Sequence, residues 1–198
     1  FKTQVVPVEL KTKKGPVMFD TDEHVRKDAK PEDFAKLRPA FKKDGSVTAG
    51  NASGINDAGA AVVLMEAAAA AKAGVKPLAR LEAYAHAGVE PHIMGEGPIP
   101  AVQKVFQKAG LKPADMSVIE SNEAFAVQAM TVTKQLGLDP AKVNPNGGAV
   151  ALGHPIGATG AILTVKCLYE LHRTGGRYGL VTMCIGGGQG IAAIFERL

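Results

Sequence analysis

Tryptophan is absent from the 198 residues, and tyrosine occurs only three times. A surface that binds nucleic acid needs aromatic rings for stacking beside clustered basic residues. Here the lysines are scattered, so no nucleic-acid partner is expected. The net charge of +4 and the isoelectric point near 9.0 suit an anionic small molecule. No apolar run approaches the ~20 residues that span a bilayer, so no membrane partner is expected. Residues 1–6 alternate like a strand and do not resemble a secretory signal. The chain also lacks an initiating Met, and the expectation is that it begins inside a fold. Only two cysteines occur, Cys167 and Cys184. They have neither metal-ligand spacing nor the look of a disulfide framework, so no metal site is expected and a reducing, cytoplasmic compartment is the default. The G-K-[ST] ending of a phosphate-binding P-loop is missing as well.

What is present is ample apolar material. Hydrophobic residues make up 46% and charged residues 21%, enough for one domain or a domain and a fraction. Residues 1–55 read as irregular, with an edge strand at 6–10 because of Pro7 and a polar loop at 19–26. Residues 60–65 (Ala-Ala-Val-Val-Leu-Met) read as a buried strand. An alanine-rich helix follows over 66–72, stopped at Gly74 with Pro77 beyond. Weak strand character covers 78–87. Pro98 opens a helix whose Val102, Val105, Phe106 and Ala109 fall at i, i+3, i+4 and i+7, and Gly110 closes it. A short strand at 117–120 precedes a helix over 123–136. A glycine-rich loop from Asn144 leads into a helix from about Ile156 to His172, ended by Gly175 and Gly176. Two strand runs, 179–183 and 191–195, finish the chain. This order predicts an α/β protein with helices layered on a mixed sheet.

Three stretches carry the residue types of a reaction site. Between the last two strands lie Cys184, Gly186, Gly187, Gly188 and Gly190, a turn whose backbone approaches something closely. A thiol there exchanges protons near neutral pH if its surroundings lower its pKa, and bare N–H groups can hold an oxyanion. A glycine hairpin with a buried cysteine gives the same pattern. The second stretch is Gly153-His154-Pro155-Ile156-Gly157 at a helix start, where N–H groups and the helix dipole favour negative charge. His154 there either polarises a carbonyl or tunes a thiolate, or is a surface histidine. The third is Asn122-Glu123-Ala124-Phe125 at a strand-to-helix junction, where α/β folds place site residues and where Asn122 is equally a good N-cap. Gly188-Gln189-Gly190-Ile191-Ala192-Ala193 matches a loose dinucleotide fingerprint. Only eight residues follow Gly190, which leaves no room for the helix and strand that motif requires.

Together these stretches resemble the thiolase family. Asn122-Glu123-Ala124-Phe125 is similar to its N-E-A-F motif, Gly153-His154-Pro155-Ile156-Gly157 to its G-H-P-x-G motif, and Cys184-Ile185-Gly186-Gly187-Gly188 to its C-terminal C-x-G-G-G motif. The similarity runs through Thr48–Ser53 to the first residue, and within the family it is nearest to bacterial acetoacetyl-CoA thiolases and broader β-ketothiolases. It implies a layered α-β-α fold of two related halves, of which this chain covers about the C-terminal one. On that template residues 1–55 end an inserted loop domain, 56–76 supply the last strand and helix of the N-terminal half, and 77–198 form the C-terminal domain.

The resemblance also implies an activity. An acyltransferase makes or cleaves 3-ketoacyl-CoA by Claisen condensation or thiolysis, with two acetyl-CoA giving acetoacetyl-CoA and CoA. Coenzyme A and acetyl-CoA are substrates, and no prosthetic group is implied. Cys184 exchanges the α-proton. His154 activates the nucleophile and binds the thioester carbonyl, Asn122 holds a water at the same oxyanion, and the Gly186 N–H serves a second oxyanion. Ser53 meets the pantetheine arm and Arg26 the adenine end, while Leu37, Phe41, Ala49, Met94, Ala124 and Phe125 line the tunnel. The family's nucleophilic cysteine belongs to the N-terminal half, which is the implied partner, and this portion alone is expected to be inactive. Cys167 sits mid-helix and reads as a buried structural thiol. A dimer or tetramer is implied. A thiolase-like protein that binds acyl-CoA without catalysis is the alternative, while a related decarboxylating synthase would carry a second histidine in place of Cys184.

Overall fold

The computed structural model describes residues 1–198 and divides into two units, Phe1–Lys36 and Leu37–Leu198. The first unit is less irregular than its composition suggests. Strand β1 (Val8–Thr12) pairs antiparallel with β2 (Gly15–Phe19). Pro7 lies just outside the ladder, which it cannot join as a donor. The Thr12 hydroxyl closes the turn by donating to the Gly15 carbonyl at 2.7 Å. A single helical turn, α1 (Pro31–Phe34), completes the unit.

The second unit is built around a four-stranded sheet. Its elements are α2 (Ala67–Lys72), β3 (Ala79–Gly88), α3 (Pro98–Ala109), β4 (Met116–Ser121), α4 (Ala126–Gln135), α5 (Ala149–Leu152), α6 (Thr159–Thr174), β5 (Tyr178–Ile185) and β6 (Gln189–Arg197). The strand order is β3-β6-β5-β4. β6 runs antiparallel to both neighbours, and β4 runs parallel to β5. The expected mixed sheet with helices is therefore present.

Two-residue alternation divides the core between the two faces of this sheet. On one face Ala85 and Ala87 of β3, Leu180 of β5, and Ala192 and Ile194 of β6 meet Ala101, Val102, Val105 and Phe106 of α3. The small inward residues of β3 let α3 lie close. On the other face Val118 and Val181 meet Leu163, Cys167 and Leu171 of α6. Burying one such Val, Leu or Ile side chain stabilises by roughly 1.5–3 kcal/mol. These paired faces outweigh any surface ion pair, each of which contributes about 0–1 kcal/mol. Cys167 is fully buried, and burial raises its thiol pKa out of the range of useful acid–base chemistry.

Several expected elements differ. Residues 60–65 form no strand, and Val63 and Leu64 are 90% and 77% exposed. A strand exists only against a partner, and no ladder in this chain reaches that segment. The helix expected from Glu123 begins at Ala126, with Phe125 in the cap position, so Asn122 is not an N-cap. The helix expected from Ile156 begins at Thr159, and a separate turn, α5, precedes it.

Beyond β4 the sheet continues through a side chain. Val143 makes an isolated parallel bridge to Ile119, and Asn144 N–H donates to the Ile119 carbonyl at 2.8 Å. Asn144 then turns away with φ of +47°, the one non-glycine residue at positive φ. Its carboxamide takes over the ladder. Oδ1 accepts from Ser121 N–H at 2.9 Å, and Nδ2 donates to the Ser121 carbonyl at 2.8 Å and to Glu123 Oε1 at 2.9 Å. Asn tolerates this backbone region better than other side chains do.

The turn between β5 and β6 is packed at one end and open at the other. A Cβ added at Gly190 would sit on the backbone of Gly97 and Pro98, whereas one added at Gly186 would meet nothing within 4 Å. Gly190→Ala is therefore expected to lower the unfolding free energy of the intact protein by about 1–3 kcal/mol through overpacking, while Gly186→Ala changes it little. A pair of denaturant melts compares them, and equal midpoints for the two variants would contradict this packing. Asn144→Ala, which leaves the Ser121 amide and carbonyl without a partner, is expected to cost about 1–3 kcal/mol. A shift within about 0.5 kcal/mol, the range of an ordinary surface change, would show that the carboxamide does not carry the ladder.

Candidate active site

Parallel pairing of β4 with β5 brings two of the three motif stretches to one edge of the sheet. Asn122 follows the last residue of β4, and its N–H donates to the Thr182 carbonyl at 3.0 Å. Cys184 lies two residues further along β5. It shares the sheet side of Leu180 and Thr182 by alternation. Thr182 is fully buried, and its hydroxyl donates to the Ile191 carbonyl at 2.8 Å. The frame next to Cys184 is thus fixed by hydrogen bonds from both neighbouring strands.

His154 reaches the same edge from a different direction. Gly153 before it has φ of +93°, and a Cβ there would collide with the Asn56 side chain. The His154 N–H donates to the Gly54 carbonyl and to Asn56 Oδ1, both at 3.1 Å. The imidazole lies between two polar side chains, with Nε2 3.3 Å from Asn122 Nδ2 and Nδ1 2.7 Å from Thr159 Oγ1. Asn122 is 1% exposed, and its Oδ1 has no partner. A buried acceptor without a partner is uncommon and marks a position where a hydrogen-bond donor fits.

The loop between Asn144 and α5 holds Asn122 and His154 in register. Glu123 Oε2 accepts from Val150 N–H at 3.2 Å, while its other oxygen takes Asn144. Lys166 of α6 donates to the Gly147 carbonyl at 2.6 Å and lies 3.0 Å from the fully buried Glu120. Burial raises the pKa of Glu120, and the Lys166 charge opposes that rise. Asn146 donates to Glu170 at 2.9 Å. The neighbouring Arg173 holds the Glu170 carboxyl below its ordinary range.

Desolvation sets the protonation of the two titratable site groups. Burial lowers the His154 pKa, so the ring is neutral at pH 7. Burial likewise raises the pKa of Cys184. The sequence allows this thiol to exchange protons near neutral pH only if its surroundings lower its pKa; burial does the opposite, and its resting form is the thiol. Gly186, one turn beyond, is exposed.

The residues expected along a CoA tunnel fall into three groups. Ser53, Ala124 and Phe125 are brought together by backbone contacts, with Ser53 N–H donating to the Ala124 carbonyl at 3.1 Å and Ala52 bridging Phe125. Phe41 stacks edge-on against Phe125 with centroids 6.0 Å apart. Met94 and Phe125 line one groove of about 320 Å³, together with the buried Gln128, whose amide atoms have no partner. Ala49 and Leu37 are exposed within the same unit. Arg26 belongs to the first unit and is exposed. Sequence reasoning missed Asn56, Glu123, Asn144 and Thr159. Each is a polar residue inside or beside a quoted stretch. The partners of Asn56, Glu123 and Asn144 are distant along the chain, while Thr159 meets His154 five residues away. For Asn56, Asn144 and Thr159 the available signal was a polar residue placed near glycines without a turn to explain it.

Comparison with known proteins agrees with this geometry. The family profile described as the C-terminal domain of thiolase matches residues 75–197, and that of the N-terminal domain matches residues 1–68. The chain is 67% identical over 199 residues to the beta-ketothiolase BktB of Cupriavidus necator, covering 100% of this chain and 50% of that protein. It is 55% identical to the acetyl-CoA acetyltransferase of Allochromatium vinosum over the same shares of each. Among solved structures, the Bacillus anthracis acetyl-CoA acetyltransferase superposes with a TM-score of 0.91 at 50% identity, over 99% of this chain and 50% of that one. Human mitochondrial 3-ketoacyl-CoA thiolase in complex with CoA superposes with a TM-score of 0.86 at 45% identity, over 96% and 48%. The chain spans about half the length of the curated relatives it matches. With the fold, the motif geometry and these matches in agreement, the chain belongs to the thiolase family.

Proposed function

We propose that the intact protein containing this chain makes or cleaves 3-ketoacyl-CoA by Claisen chemistry, and that this half supplies the proton-transfer and oxyanion groups. The observation that carries the proposal is the pair of buried Asn122 and half-buried His154 with its unpartnered Asn122 Oδ1, at the edge where β5 delivers Cys184. The nucleophilic thiol comes from the N-terminal half. His154, neutral at rest, takes that thiol's proton. The thiolate attacks the thioester carbonyl of an acyl-CoA, and CoA leaves with the proton that His154 gives up, so that the acyl group is bound as a new thioester.

In the second half-reaction the Cys184 thiol first passes its proton to the neutral His154, and the resulting thiolate removes an α-proton from acetyl-CoA. The enolate oxygen is held by protonated His154 and by a water that donates its other hydrogen to Asn122 Oδ1. The enolate carbon attacks the acyl-enzyme carbonyl, whose oxyanion meets the Gly186 N–H. Collapse releases 3-ketoacyl-CoA and the nucleophile's thiolate, to which His154 returns its proton. Thiolysis is the reverse, with the Cys184 thiol giving its proton to carbon. Preorganised donors of this kind each contribute ~10²–10³ in rate. The pantetheine arm lies along Ser53, Ala124 and Phe125, and the groove beside Met94 suits it, because the free carboxamide of Gln128 complements an amide. Phe41, Leu37 and Ala49 extend the apolar wall. Assembly as a dimer or tetramer and a cytoplasmic location belong to the same reading.

Two measurements on the intact protein test these roles. Cys184→Ala is expected to reduce condensation by about 10²–10⁴-fold while radiolabelled acetyl-CoA still acetylates the nucleophile; near-normal condensation would remove Cys184 from the mechanism. His154→Ala is expected to slow both half-reactions, and undiminished thiolysis would exclude it. The pH dependence follows from the two shifts. Burial lowers the His154 pKa from its ordinary 6.5 and raises that of Cys184 from its ordinary 9.0. Between those values the proton-shifted pair, thiolate with protonated ring, is a constant share of the resting pair, so condensation by pre-acetylated enzyme should be level from pH 6.5 to pH 9.0. A rate that climbs steadily across that window would show that burial does not govern the pair.

A further inference from the structure

The hydroxyl of Thr159, which the reaction outlined above does not use, lies between the backbone and the ring of His154. Thr159 is 3% exposed. Its Oγ1 is 2.9 Å from the Pro155 carbonyl oxygen and 2.7 Å from His154 Nδ1. Two oxygens at that separation attract only with a hydrogen between them, and a carbonyl has none to give. The Thr159 hydrogen therefore points at Pro155, and its oxygen faces the ring as an acceptor. Nδ1 must then carry a hydrogen.

The far side of the ring follows from this. A neutral imidazole with hydrogen on Nδ1 has a lone pair on Nε2. Asn122 Nδ2, at 3.3 Å, then donates to Nε2. That orientation turns Asn122 Oδ1 away from the ring, in keeping with the missing partner of that buried oxygen. The opposite tautomer needs the Thr159 hydrogen on Nδ1. It would leave the Thr159 and Pro155 oxygens facing each other without a hydrogen, and would turn the Asn122 amide so that Nδ2 had no partner.

We propose that Thr159 is a positioning residue that holds His154 in the Nδ1–H tautomer, so that Nε2 is the nitrogen that accepts the nucleophile's proton; its catalytic consequence rests on the thiolase reading above. Nε2 has one lone pair, so the nucleophile's S–H takes the place of the Asn122 N–H there, and proton transfer proceeds without ring rotation. Nε2 gains the hydrogen from the thiol, the S–H bond breaks to leave a thiolate, and the same N–H becomes a donor to the substrate oxyanion. Nδ1–H stays on Thr159 throughout.

Two experiments on the intact protein test this. Neutron diffraction from deuterium-exchanged crystals should show a deuteron on His154 Nδ1 directed at Thr159 Oγ1 and none on Nε2. A deuteron on Nε2 in the resting protein would overturn the assignment whatever reaction the protein performs. In steady-state thiolysis, Thr159→Val is expected to lower kcat by about 10²-fold, the low end of a general-base effect, with KM for CoA unchanged. Thr159→Ser, which keeps the acceptor oxygen, should restore kcat to within a few-fold. Equal losses in the two variants, or an unaltered kcat in Thr159→Val, would reduce Thr159 to a packing residue. A wild-type protein that fails to acetylate its nucleophile would remove the thiolase reading and leave the diffraction result standing.

Discussion

Because β4 and β5 run parallel, their C-terminal ends arrive at the same edge of the sheet, and the candidate site depends on that coincidence. An antiparallel pair would have sent Asn122 and Cys184 to opposite ends. The hydrogen bond from Asn122 N–H to the Thr182 carbonyl is one more rung of this ladder, placed just where the strand gives way to the turn. Parallel strands require a long crossover. Here the crossover carries α4, the Asn144 loop, α5 and α6, and so delivers His154 to the edge that the strands define. The order of the sheet, with β6 antiparallel to both β3 and β5, also puts the tight glycine turn at this edge.

The site is organised by neutral hydrogen bonds in a desolvated place and not by charge pairs. Burial depresses His154 and raises Cys184 for the same reason, since each is pushed toward its uncharged form. Both then rest in the state from which a proton moves next: a base without its proton and an acid with one. The charged residues stand one layer back. Glu123, Glu120 and Lys166 grip the loop from Asn144 to Val150 and so act on the position of His154 without touching it. Removing one member of such a buried set leaves its partner uncompensated, which is costlier than the pair itself is stabilising.

The glycines of the last turn divide their work. Gly190 lies against the backbone of Gly97 and serves packing, while Gly186 faces open space and leaves an N–H available. The pattern of four glycines allowed two readings, a reactive loop and a compact hairpin; the close packing at Gly190 is that of the hairpin, while Gly186 is left open. The segment 60–65 is the opposite case. Its run of Val62, Val63, Leu64 and Met65 has the composition of a buried strand, yet it stays exposed, because composition states what a segment can bury and not whether a partner is there.

Periodicity and punctuation alone determined much of this protein. The helix from Pro98 with its Val102, Val105 and Phe106 stripe, the closing strand pair, the inert Cys167 and the three motif stretches were all legible, because each depends on residues within one helical turn or one strand of each other. Contacts between distant parts of the chain decided the rest. Asn122 has the composition of an N-cap, but α4 starts at Ala126 and leaves its side chain to His154. Asn144, Asn56 and Thr159 gain their significance from Ser121, Gly153 and His154, two of them far away along the chain, and no local rule ranks one polar residue above another before the fold brings such partners within 3 Å or so. The direction of the Cys184 shift was likewise a tertiary matter, since a thiol's pKa follows from what surrounds it in space.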